Sequence, residues 1–153
     1  MRILVYGAGV QGCELAHRLL QNEKNVVTLL ARGEWKKTIE EKGLTIRHWA
    51  QCRTTVDRVE TVDALAPEDF YDLIFVTMQA GQLPDVLPAL KANCSEYIVF
   101  IGNQPHARSV LQAMQRPADK IAFAFQNNAG HREHDRVISV HAGTGMTVGG
   151  ATA

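Results

Sequence analysis

The strongest chemical signal in the sequence is a run of glycines near the N-terminus. Gly7-Ala8-Gly9-Val10-Gln11-Gly12 spells G-x-G-x-x-G. The apolar segment Arg2 to Tyr6 precedes it and reads as a buried strand. Val10 to Gln21 follows it and reads as a helix, with Val10, Cys13, Ala16 and Leu20 on one face. Strand, glycine turn and helix in that order can hold a pyrophosphate. Gly7 permits the tight turn, Gly9 lets the backbone approach the phosphates, and Gly12 lets the helix pack against the strand. The first amides of the helix, with Val10 and Gln11 among them, then face the anion together with the positive end of the helix dipole.

A second charged position decides which dinucleotide suits such a turn. An Asp or Glu about 20 residues further on, at the tip of the second strand, would accept the ribose 2′-hydroxyl proton of NAD. The second strand here is Val26 to Ala31, and Arg32 stands at its tip. A guanidinium matches a 2′-phosphate in charge and fork geometry and cannot accept a hydroxyl proton. The expected cofactor is therefore NADP(H). Lys36 and Lys37, one helical turn on, would add positive potential. The rival acid, Glu34, lies past Gly33 and off the strand tip.

These residues need a scaffold, and the chain supplies one. Short apolar runs alternate with stretches of helical period, which predicts an α/β fold: a Rossmann-like, doubly wound, mostly parallel sheet with helices on both faces. Gly33 to Lys42 reads as a helix stopped by Gly43, and a pair of short strands is expected within Leu44 to Val62. Leu73 to Thr77 and Tyr97 to Ile101 read as central strands. Leu83, Val86, Leu87 and Leu90 share a helical face, with Pro88 making that helix start late or bend. Ala107 to Met114 reads as a helix and Ile121 to Phe125 as a strand. Val137 to His141 and Met146 to Val148 read as strands flanking a hairpin loop at Ala142 to Gly145. Ligands of such sheets bind beyond the carboxyl ends of the strands. That rule puts Thr77, Gln79 and Asn103 on the nicotinamide side.

Composition excludes several other classes. The 153 residues fit one domain, residues 1–153, and 46% hydrophobic with 21% charged residues is a globular balance. Sixteen Lys and Arg against sixteen Asp and Glu give a net charge of +0, so no general affinity for nucleic acid or a membrane surface is expected. No apolar run approaches the roughly 20 residues of a membrane span. Three dispersed cysteines, Cys13, Cys52 and Cys94, suggest neither a disulfide framework nor a zinc knuckle, and a cytoplasmic setting is expected.

The segment Val26 to Glu34, followed by Gly43-Leu44-Thr45-Ile46-Arg47, resembles the N-terminal half of ketopantoate reductases (2-dehydropantoate 2-reductases). The glycine run and the late Val137 to Val148 strands fit as well. The resemblance implies an NADPH-dependent oxidoreductase that reduces a small 2-keto acid to a 2-hydroxy acid, in the pantothenate branch leading to coenzyme A. It also implies a following helical domain that supplies the general-acid lysine and most substrate contacts. With that domain lacking, no catalytic residue is expected within this chain, which should bind cofactor, turn over little, and self-associate through an exposed interdomain face. Two positions depart from the family. Gln79 stands where a lysine is usual, and Gly102-Asn103-Gln104 replaces Q-N-G, although Asn103 retains an amide for cofactor or substrate. Another keto or imino acid is then a rival substrate. A non-catalytic dinucleotide sensor on the same fold is the alternative function.

Other candidates have plainer readings. His131 and His134 read as solvated loop residues without a third metal ligand, and His141 as a half-buried strand residue. Trp35 is better placed than Trp49 to stack on an adenine. Cys13 sits where a helix N-terminus can depress a thiol pKa, but its apolar face makes it a packing residue. The acidic residues Asp57, Glu60 and Asp63 read as a solvated face. Neither a G-x-S-x-G elbow nor a Walker lysine is present.

Overall fold

The computed structural model describes residues 1–150, apart from the side chains of residues 141–144. Among the described residues, nine strands form one sheet in the order β4-β3-β9-β8-β7-β6-β1-β2-β5. The strands at its centre are β1 (Arg2–Tyr6), β2 (Val26–Leu30), β6 (Leu73–Val76) and β7 (Tyr97–Ile101). All pair in parallel, and β7 passes the same direction on to β8 (Ile121–Arg132). In β1 and β2 every residue but the first is buried, as strands covered on both faces require.

The period of two along β1 feeds two separate cores. Ile3 and Val5 point to the face covered by α1 (Val10–Leu20) and α2 (Gly33–Lys42), where they meet Cys13, Ala16, Trp35 and Ile39. Leu4 and Tyr6 point the other way, toward α3 (Leu83–Ala92) and α4 (Ala107–Met114), whose Leu83, Leu90, Val110 and Met114 complete the second core. Helices thus cover both faces of a mostly parallel sheet. From β1 the chain steps outward to β2 on one side and resumes with β6 on the other. That reversal opens a crevice at the carboxyl end of β1.

The structure departs from the sequence expectation at several places. Residues 44–62 form three strands instead of two: β3 (Leu44–His48), β4 (Arg53–Asp57) and β5 (Glu60–Val62). The β3–β4 hairpin lies at the far edge, where β3 runs parallel to β9 (Val137–Gly150). The expected hairpin loop at Ala142 to Gly145 is part of one continuous β9. The true turn is the polar segment after Arg132, closed by the Glu133 N–H donating to the Arg136 carbonyl at 2.9 Å. Glycine and threonine marked a register irregularity rather than a turn: pairing skips from Gln126–Met146 to Asn128–His141, so Ala142 to Gly145 bulge opposite Asn127. Finally, α3 does not start late: it begins at Leu83 and carries Pro88 in its interior, where the burial of Leu83, Val86 and Leu90 offsets one lost backbone bond.

The inner face of the edge hairpin presses polar groups onto α1. His48 and Glu14 are buried, with His48 Nε2 2.9 Å from Thr55 Oγ1 and Nδ1 3.6 Å from Glu14 Oε2. His17 Nδ1 lies 2.7 Å from Asp57 Oδ2, and Arg18 Nε–H donates to Glu14 Oε1 at 3.1 Å. Burial lowers the His48 pKa below its usual value, outweighing the opposite pull of Glu14, with His17, Arg53 and Arg18 adding to the lowering. An unfolded chain therefore takes up that proton before the folded one does. Stability contributed here is constant above about pH 6.5 and falls as pH drops below it. Urea denaturation at pH 7.5 and pH 5.5 should show the loss, and His48→Gln should flatten it.

Candidate functional site

The glycine run makes a turn that excludes side chains from within and leaves space outside. Gly7 closes β1 at φ +117°, a conformation L side chains rarely adopt, and a Cβ there would stand 2.9 Å from Thr77 Oγ1. The Thr77 hydroxyl lies 2.9 Å from the Gly7 carbonyl, and the Thr77 N–H donates to Tyr6 O at 3.0 Å. Thr77 is thus a brace for the turn. Gly12 lies beneath it, where a Cβ would come within 1.9 Å of Gly7 O. Gly12→Ala is expected to cost about 3 kcal/mol through overpacking, a fall of roughly 6–12 °C in thermal midpoint by calorimetry.

Gly9 is the N-cap of α1 and differs from both: a Cβ on it would meet nothing within 4 Å. Among the described residues no side chain caps this helix, and its first turn holds no acid. The leading amides, Val10 and Gln11 foremost, are therefore left for a ligand.

These groups open on a crevice of about 580 Å³. Gly7, Ala8, Gly9, Val10, Gln11, Arg32, Thr77 and Gln79 all line it, and among the described residues no carboxylate does. Arg32 is exposed at the mouth and acts as N-cap of α2. Its Nε–H donates to Asp63 O at 3.3 Å and its Nη2 to Tyr6 Oη at 3.4 Å. The remaining donors of its fork are free for an anion. Lys36 and Lys37 do not reinforce it. Lys36 Nζ is 3.0 Å from Glu40 Oε1, Lys37 Nζ is 2.7 Å from Glu34 Oε1, and none of the four lines the crevice.

Gln79 is exposed and exchanges hydrogen bonds with Gln82 around a single 3-10 turn, Ala80–Gln82. Asn103 falls in an adjoining hollow of about 320 Å³. Gln11, Thr77, Met78 and Gln79 border both spaces and join them. Beside Asn103, Gln104 donates to Met78 O at 3.4 Å and ties the loop after β7 to the loop after β6.

One wall of the crevice has no counterpart in the sequence reading. Asn128, Ala129, Gly130 and Arg132 of β8 line it. The signal was present as a period of two, Gln126, Asn128, Gly130, Arg132, hidden because the strand was expected to end at Phe125.

Trp35 is buried in the crevice wall, its Nε1–H donating to Ala8 O at 3.0 Å, whereas Trp49 is exposed in the β3–β4 turn. Cys13 is fully buried, its Sγ 3.4 Å from Ala8 O, and burial pushes the thiol up to about 12, so packing prevails over the helix dipole. His131 and His134 are exposed, and the side chain of His141 lies outside the described residues. Another hollow, of about 400 Å³, sits at the opposite end of the strands beside Met1, Leu73 and Tyr97, and no candidate residue reaches it. Among the described residues no helix is long and apolar enough to cross a membrane.

Comparison with solved structures returns the same architecture. A D-mandelate dehydrogenase solved with NADH and anilino(oxo)acetate superposes with a TM-score of 0.79 at 21% identity, over 97% of this chain and 47% of that one. The 2-dehydropantoate 2-reductase from Methylococcus capsulatus gives 0.78 at 20% identity, over 98% and 48%. That from Porphyromonas gingivalis gives 0.75 at 16%, over 97% and 53%. The chain thus spans about half the length of these structures. Comparison with curated proteins finds no match. Residues 3–153 match the family described as ketopantoate reductase PanE/ApbA. With a Rossmann-like α/β fold and a sequence match over nearly its whole length, the chain belongs to the ketopantoate reductase PanE/ApbA family.

Proposed function

We propose that the crevice binds NADP(H), as the coenzyme domain of an oxidoreductase that reduces a small 2-keto acid. The observation that carries this reading is an amide-lined crevice, free of carboxylates among the described residues, with Arg32 at its mouth. The leading amides of α1 hold the pyrophosphate, and Gly9 leaves room for its approach. Arg32 takes the 2′-phosphate. Gln79 and Asn103 offer neutral amides on the nicotinamide side, so they orient by hydrogen bonding and add no charge. The bound dinucleotide supplies the hydride. The Tyr6 hydroxyl accepts from Arg32, and among the described residues no Asp, Glu, His, Cys or Lys lines either space. We therefore assign the proton donor for the keto oxygen to a group outside this crevice.

Calorimetric titration of the chain with NADPH and NADH tests the reading. NADPH should bind the tighter. Equal affinities would overturn the NADP(H) assignment, and binding of neither would overturn the dinucleotide assignment itself.

A further inference from the structure

Arg132 closes β8 on the wall of the crevice contributed by the β8–β9 pair. Its guanidinium carbon sits 5.3 Å from the centroid of the Trp35 ring. That ring is itself fixed, because the indole N–H donates to Ala8 O at 3.0 Å. One aromatic platform therefore ties the guanidinium to the backbone of the glycine run. Cation–π stacking of this kind limits the orientations the side chain must give up on binding.

The strand could hardly come closer. Two residues back on the same face, a Cβ on Gly130 would lie 3.1 Å from Val10 Cγ1 and 2.0 Å from Ile138 O, so β8 abuts the first turn of α1. Asn128, the next residue on that face, lines the crevice with both amide atoms buried and neither hydrogen-bonded. The acids of the adjoining turn are engaged elsewhere: Asp135 Oδ1 is 2.9 Å from Arg136 Nε, and Glu133 faces His131 at 3.6 Å and Arg136 at 4.0 Å. Among the described residues no carboxylate pairs with Arg132. A positive charge thus stands beside unused amides, with an unpartnered carboxamide next to it.

We propose that Arg132 is a second anion-binding residue of the crevice and grips the pyrophosphate, while Arg32 serves the 2′-phosphate. The proposal rests on the dinucleotide reading above and adds a division of labour within it. A group on the pyrophosphate serves both coenzymes alike; a group on the 2′-phosphate serves one.

Arg132→Met keeps an unbranched stem on Trp35 and removes the charge. Titrated with NADPH and with NADH, it should weaken both by about tenfold, leaving their ratio as in the parent. ADP should weaken likewise, and AMP, which lacks the pyrophosphate, much less. Arg132→Lys should recover much of the affinity for both coenzymes. Unchanged affinity in the methionine variant, or a loss confined to NADPH, overturns the proposal. So does a lysine variant as weak as the methionine one, which would assign Arg132 to packing. Thermal unfolding without ligand checks the fold. Should the methionine variant unfold, the lysine variant decides alone: both coenzymes must shift by one common factor, and a shift confined to one overturns the proposal. Failure of the parent chain to bind any dinucleotide would strike the earlier reading, whereas normal binding with an indifferent Arg132 strikes this one alone.

Discussion

Arg32→Ala is expected to lower NADPH affinity by about 10- to 100-fold and to leave NADH affinity within about twofold. A hydrogen bond to a charged group contributes about 1.5–3 kcal/mol, and 1.4 kcal/mol is one decade in affinity. Arg32 is exposed, so the effect should sit near the lower end and shrink as salt rises. The guanidinium is already positioned before any ligand arrives, by Asp63 O at 3.3 Å and Tyr6 Oη at 3.4 Å, which leaves the rest of its five donors for phosphate. Lysine cannot make that fork, so Arg32→Lys should recover part of the preference. Neither change should move the thermal midpoint much, since Arg32 makes no ion pair among the described residues and surface substitutions usually stay within about 0.5 kcal/mol. The measurement is the ratio of the two dissociation constants. A loss shared equally by NADPH and NADH would remove Arg32 from the 2′-phosphate.

The parts of the site visible in the sequence are those made by neighbours in the chain. Gly7, Gly9 and Gly12 lie within one turn, and Arg32 closes the next strand, so spacing alone placed them together. The charge of Lys36 and Lys37 misled because each pairs inside its own helix, with Glu40 and Glu34, at distances that spacing permits but does not require. The wall formed by Asn128 and Arg132 was invisible for a different reason. Their approach depends on β8 continuing past Phe125 to pair with β9, a contact between segments whose polar residues look like a loop in isolation. The same long-range pairing carries the β3–β4 hairpin to the far edge of the sheet, a position no local pattern in Leu44 to Val62 specifies. Strands with continuous apolar runs were legible because burial on both faces leaves them no alternative. Edge strands, half exposed, gave weaker patterns.

Gly9→Val should nearly abolish binding of both coenzymes while sparing the fold, and it separates the two kinds of glycine in the turn. At Gly9 the backbone has φ −80° and ψ −171°, an extended conformation open to any residue, and a Cβ meets nothing within 4 Å. The only structural cost is a poorer N-cap, up to about 1 kcal/mol or roughly 2–4 °C in midpoint. The empty space, however, is where a pyrophosphate must come to reach the amides of α1. A branched side chain there holds the phosphates off, and losing two such contacts at about 1.5 kcal/mol each amounts to at least about 100-fold. Gly12→Ala has the opposite profile, because its Cβ would strike Gly7 O inside the turn and lower stability first. Calorimetry and thermal melts on the two variants therefore form a crossed test. If Gly9→Val binds NADPH as the parent does, the anion does not lie against the start of α1, and the crevice must be assigned to another ligand.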